Sequence, residues 1–133
     1  MSIFNQTKDH RGSMAEQMAF NLSGFKSMLE NEALQPWFKA GLMFRSEALT
    51  NAKLMELSCA NYQTVIAEIS ALIENWQQLG EIDPDVNSKT IAQLMFSMVS
   101  DVGNQKMMDP TLDLDAYFKS LVNLVVNGLK ANN

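Results

Sequence analysis

The chain carries one histidine, His10, and one cysteine, Cys59, so very few atoms decide its capacity for nucleophilic or metal chemistry. A Cys–His pair needs an imidazole to activate the thiol, and a zinc site needs several nitrogen or sulfur donors. Neither residue has a second histidine or cysteine nearby in sequence, so neither chemistry is supported, and His10 reads as structural or solvated. Cys59 falls on the flank of a helical segment with no electropositive partner for a thiolate, and reads as a small buried hydrophobe. Asp109, Asp113 and Asp115 suggest calcium, but the EF-hand spacing and its glycine are missing. Carboxylates near the positive end of a helix explain them better, and explain Asp83 and Asp85 in the same way. A bundle metalloenzyme needs inward Glu and Glu-x-x-His pairs, and none is present. The expectation is no enzymatic activity, no cofactor and no metal.

Recognition of a small molecule is the chemistry that remains. At about 100° per residue, Arg45 projects within about 20° of Leu34, inside an apolar stripe. Ser58, Asn61 and Tyr62 fall inside another stripe in the same way. A buried polar group without a partner costs about 1–3 kcal/mol. These groups therefore either satisfy one another or face a wet cavity that a ligand enters. For Arg45 the choice is an ion pair with Glu16, Glu32 or Glu56, or a ligand contact. Trp37, Phe25 and Phe44 are natural apolar walls, although core packing is the better reading of each. Ten methionines add adaptable surface, and Met18, Met43, Met95 and Met98 suit a pocket for varied ligands, with core filling as the plainer alternative.

The elements that must position these groups are all helical. No period-two run persists, and Val, Ile and Thr are sparse for a β protein. Residues 1–12 lack periodicity and read as an irregular or frayed lead-in to one domain over 13–133. The first helix starts at Ser13, with Glu16 placed as in a capping box, and Met14, Met18, Leu22, Phe25 and Leu29 form its stripe. The second spans about 34–48, with Pro36 in its first turn. The third runs from about Asn51 to Leu79, with Leu54, Leu57, Val65, Ile69, Leu72, Ile73 and Trp76 inward and Gly80 as its left-handed stop. The fourth follows Asp83-Pro84 and fades near Gly103. A connector through Met107-Met108-Asp109-Pro110 leads to the fifth, over about 114–129.

The last two helices are apolar over an arc of roughly 200°, where a surface helix needs little more than 100°. Such an arc packs on two sides, one against the chain's own core and one against a second copy. Ile91, Met95, Met98, Val99, Phe118, Leu121, Val122, Val125 and Leu129 are the expected dimer surface. The net charge of −5, from 10 basic and 15 acidic residues, leaves no cluster of Lys and Arg to neutralise phosphates, so the chain itself should not bind nucleic acid. No apolar run approaches a membrane span and no signal peptide is visible, so a cytoplasmic address follows by default.

The order of motifs is specific enough to compare with a known family. A long helix leads to Leu79-Gly80-Glu81-Ile82-Asp83-Pro84-Asp85, then to an apolar helix ending Ser100-Asp101-Val102-Gly103. A proline-bearing loop follows, then Tyr117-Phe118-Lys119-Ser120-Leu121-Val122 running to Asn127-Gly128-Leu129. Over about residues 13–131 this resembles the C-terminal regulatory domain of the TetR family of transcriptional repressors. Trp37-Phe38-Lys39-Ala40-Gly41-Leu42 and Ser46-Glu47-Ala48-Leu49 are similar to that family's middle helices. The resemblance implies an all-α helical bundle whose last two long helices form an intermolecular four-helix bundle in a homodimer. It also implies a pocket for a small, largely apolar effector, lined here by Met18, Phe25, Trp37, Phe44, Arg45, Ser58, Asn61, Tyr62 and Met95. DNA would be reached only through an N-terminal helix-turn-helix domain, and none can be fitted into residues 1–12. The competing expectation is a stand-alone helical interaction module with a dry interior and no ligand.

Overall fold

Local sequence signals start and stop each helix in the computed structural model, which describes residues 13–131. Ser13 accepts the Glu16 N–H and opens α1 (Met14–Glu30). Asn31 caps a 3-10 turn (Glu32–Leu34), and α2 (Gln35–Ala48) follows with Pro36 in its first turn. Asn51 caps α3 (Ala52–Gln78) and Asn87 caps α4 (Ser88–Ser100). A break at Asp101 separates α4 from the short α5 (Val102–Met108), and Asp113 caps α6 (Leu114–Leu129). The described residues thus form an all-α domain of five long helices and one short one. None of these helices is long and apolar enough to cross a membrane. Residues 1–12 and His10 among them lie outside the described residues.

Two of these boundaries differ from the periodicity. Asp83 does not start α4: its carboxylate accepts the Asp85 N–H in a turn, and the helix begins five residues later behind Asn87. The helical run also does not fade at Gly103 but resumes through Met108. A Cβ on Gly103 would meet Leu29 Cδ2 at 3.2 Å, so α5 approaches α1 closely there.

The α3–α4 connection ties the bundle together. Gly80 adopts φ 80°, and the Trp76 carbonyl accepts the Glu81 N–H behind it. Any side chain is strained in that left-handed conformation. Gly80→Ala is expected to destabilise the domain by about 1 kcal/mol, lowering the thermal midpoint by roughly 4 °C in a circular dichroism melt. Beyond the turn, Ile82 is fully buried and bridges to Lys130, while the Asp83 N–H donates to the Leu129 carbonyl. The chain end of α6 is thereby fastened to the end of α3. Gln77 Nε2 holds the same loop through the Asp83 and Val86 carbonyls.

Packing follows the stripes in some helices and departs from them in others. α1 lies on α6, α3 on α4, and α2 on α3. The core joins Met14, Met18, Leu22 and Leu29 of α1 to Ile66, Ile69, Leu72, Ile73 and Trp76 of α3, and to Phe118, Leu121, Val125 and Leu129 of α6. Lys26 pairs with Asp115 at 3.0 Å across α1 and α6. The expected α3 stripe holds only in its second half. Leu57 is 54% exposed, and no residue of α3 before Ile66 is buried. α2 fully buries only Ala48; Phe38 packs half-buried against the core, while Trp37, Met43 and Phe44 meet solvent.

The expected dimer surface is divided by the same packing. Phe118, Leu121, Val125 and Leu129 are buried in the protomer's own core against α1, and so are not free to meet a second chain. The expectation erred because a wide apolar arc does not say which part of it is used internally. Ile91, Met95, Met98, Val99 and Val122 are half-buried. The apolar side chains that α4 and α6 leave in solvent are instead Leu94, 56% exposed, and Leu124, 72% exposed.

Candidate functional site

The apolar stripes of four helices meet without filling the space between them. A partly enclosed cavity of about 260 Å³ remains. α1 contributes Met18, Asn21, Leu22 and Phe25, and α3 contributes Val65, Ile69, Leu72 and Trp76. Met95, Phe96, Val99 and Ser100 of α4 and Leu121 of α6 complete the wall. Each helix brings residues spaced three or four apart, which is why one face of each supplies adjacent parts of the lining.

Polar atoms at this wall are few. The Trp76 indole N–H donates to Gln17 Oε1 at 3.1 Å, a buried pair behind the ring. Asn21 Oδ1 is buried without a hydrogen-bond partner. Among the described residues, the Ser100 hydroxyl is the remaining polar side chain of the lining, and no Lys, Arg, His, Asp or Glu lines the cavity. Such a wall holds an apolar molecule by exclusion from water and orients it through one or two hydrogen bonds. It offers no general acid or base and no counter-ion. Among the described residues, no group of three or more His, Cys, Asp and Glu side chains is placed to hold a metal ion.

Of the nine ligand-contact residues expected from sequence, Met18, Phe25 and Met95 stand in this wall. Tyr62 stands behind it, its ring edge-on to Phe96 with centroids 5.5 Å apart. Ser58 is half-buried outside the lining, its Oγ buried and unpartnered, while Asn61 is exposed. Trp37, 74% exposed, lies away from the cavity together with exposed Phe44 and Arg45. All three ride on α2, which no other helix of the described residues covers on that side. Arg45 needs no carboxylate there because water solvates it, and the ion pairs among the described residues belong to Lys26. Met43 is exposed for the same reason, and Cys59 is exposed rather than buried. Asn21 was missed, although it lies between Met18 and Phe25 at helical spacing. The test that singled out Ser58 and Asn61, a polar residue within an apolar stripe, would have found it.

A second, more open groove of about 620 Å³ runs between α4 and α6, lined by Met98, Leu112, Tyr117, Ser120, Leu121 and Leu124 among others. The Tyr117 hydroxyl crosses it to donate to the Met98 carbonyl. Burial pushes the Tyr117 phenol above its ordinary range, and the Asp101 carboxylate adds to the shift, so the group stays a neutral donor. Lys106 Nζ donates to the Pro110 and Leu112 carbonyls at 2.9 and 2.8 Å and shapes the loop at its mouth. The three acidic residues here have separate local partners. Asp109 bonds Thr111, which holds its carboxyl below the usual range, while Asp113 caps α6 and Asp115 meets Lys26.

Fold and site together define an all-helical domain with an apolar cavity at the meeting of four helices. No family model, no curated protein and no solved structure matches this chain.

Proposed function

We propose that this chain is the effector-binding and dimerisation domain of a TetR-like transcriptional regulator, with a small, largely apolar molecule bound among α1, α3, α4 and α6. The observation that carries the reading is the cavity of about 260 Å³, apolar except for Asn21 and Ser100. Its size lies just under the usual lower bound of roughly 300 Å³ for ligand pockets, which suits a small effector. An apolar cavity of about 150 Å³ already accommodates benzene. The all-helical order and the left-handed turn at Gly80 support the reading.

Signalling follows from the sharing of two helices. Val99 and Leu121 line the cavity, while their neighbours on the same helices, Met98 and Leu124, line the groove outside. In this reading a second copy covers the groove and its rims at Leu94 and Leu124. A ligand that favours one spacing of α4 and α6 then favours one arrangement of the pair. In this reading the described helices do not themselves contact DNA, because a net charge of −5 leaves no basic surface for phosphates.

Native mass spectrometry tests both parts. The expected result is a dimer mass with a small-molecule adduct that is lost on denaturation. Val99→Phe, which drives a ring into the cavity, should remove the adduct and keep the dimer. A dimer that never carries an adduct, in a protein whose apolar probes also fail to bind, supports the competing reading of an interaction module without ligand. The specific observation on that side is the exposed apolar arm of α2 and the first half of α3, with Trp37, Met43, Leu49 and Leu57 in solvent.

A further inference from the structure

The chemistry of the cavity wall narrows the class of molecule it takes, given that the cavity is a ligand site at all. Asn21 Oδ1 is buried with no hydrogen-bond partner, and an unpaired buried acceptor costs about 1–3 kcal/mol. The only indole donor in the wall is unavailable to it, because Trp76 Nε1 is engaged by Gln17 Oε1. Asn21 belongs to the lining, and the last side-chain torsion of asparagine is broad and roughly two-fold. A half-turn about that bond exchanges Oδ1 and Nδ2, so the carboxamide presents either its acceptor or its donor to the cavity. A carboxylate or phosphate entering the same space would lose its hydration with no cation of the described residues lining the cavity to receive it.

We propose that the ligand is an uncharged molecule with an apolar body slightly larger than benzene and a single hydroxyl or N–H donor, which it delivers to Asn21 Oδ1. An alkylphenol is the simplest member of this class. The donor supplies the missing partner, the ring and short chain displace nothing polar, and Met18 and Met95 adapt to the shape of the chain.

Trp76 reports on this directly, since it lines the cavity and the chain's other tryptophan, Trp37, lies in solvent. Trp37→Phe makes Trp76 the sole emitter. Titration of that protein with 4-propylphenol and with its methyl ether should shift the emission in both cases, with the phenol binding about tenfold tighter, the worth of one buried hydrogen bond. The ether is the more apolar of the two, so hydrophobicity alone predicts the opposite order. Adding Asn21→Leu should bring the phenol down to the affinity of the ether and leave the ether unchanged. Equal binding of phenol and ether in the Trp37→Phe protein overturns the donor assignment while the cavity stands, and that comparison needs no change at Asn21. A phenol preference that survives Asn21→Leu also overturns it, and points to Ser100. If neither probe moves Trp76 emission or the thermal midpoint, the ligand-cavity reading falls and this assignment with it.

Discussion

Phe118→Asp is expected to leave no cooperatively folded domain at 25 °C, whereas Leu124→Asp, six residues further along the same helix, is expected to fold normally and lose its partner. Phe118 is 6% exposed, packed edge-on against Phe25 with centroids 6.1 Å apart and against Tyr117 at 5.5 Å. A carboxylate there loses most of its hydration, and Lys26, which lines the groove beside Phe118, is already paired with Asp115. The lost ring burial alone is worth about 3–5 kcal/mol, and an unpaired buried charge adds several more. Whole domains are stable by only about 5–15 kcal/mol, so the sum removes most or all of it. Far-ultraviolet circular dichroism and a urea titration read this directly. Leu124 is 72% exposed, so the charge introduced there stays hydrated in a lone protomer. Sedimentation velocity should show wild type as a dimer and Leu124→Asp as a monomer with unchanged helicity. A Leu124→Asp protein that sediments with wild type would remove the α4–α6 groove from the pairing surface. A Phe118→Asp protein that stays helical and merely dissociates would place Phe118 between protomers instead of within one.

The second large effect is expected from Trp76→Ala. The indole is 2% exposed, joins the core of α3 to α1, and forms one wall of the cavity. Its removal costs about 3–5 kcal/mol in packing. It also removes the hydrogen bond from the indole to buried Gln17 Oε1, now 3.1 Å long, at a further cost of about 1 kcal/mol. Chemical denaturation should therefore show a loss of about 4 kcal/mol or more, close to unfolding a domain of ordinary stability. Trp76→Phe keeps most of the apolar volume and should lose clearly less. If Trp76→Ala costs under about 1 kcal/mol, this region is not the core of the domain. Apolar probes should bind the Trp76→Phe protein but bind Trp76→Ala poorly, because the cavity then lacks its back wall.

Much of the local architecture was legible from residue types. Ser13, Pro36, Gly80 and Asp113 mark helix boundaries by chemistry that acts within four residues, and each stands where that chemistry places it. Asp83 misled because Asp-Pro serves a turn as readily as a helix start, and the choice fell to Asn87. The stripe of α1 was right because α6 lies along it. The inner face read for α2, Leu34, Phe38, Gly41, Leu42 and Leu49, is only half-covered: Phe38 packs against the core while Leu49 stands in solvent, and no element of the described chain covers Trp37, Phe44 or Arg45. Ligand residues assigned on α2 failed for that reason, while Met18, Phe25 and Met95, on helices packed around a common centre, were brought together.

Periodicity and capping act along a single stretch of chain, so the sequence alone determined five long helices, their ends within a few residues, and the face of α1 that avoids water. Which face meets which is a contest among all the helices for a limited buried volume. That contest is decided through distant contacts such as Asp83 N–H on the Leu129 carbonyl, Trp76 on Gln17, and Lys26 on Asp115. Only the assembled bundle turns Phe118 and Leu121 inward, leaves Leu124 in solvent, and strands Asn21 Oδ1 beside an unfilled space, because an unfilled space belongs to no single helix.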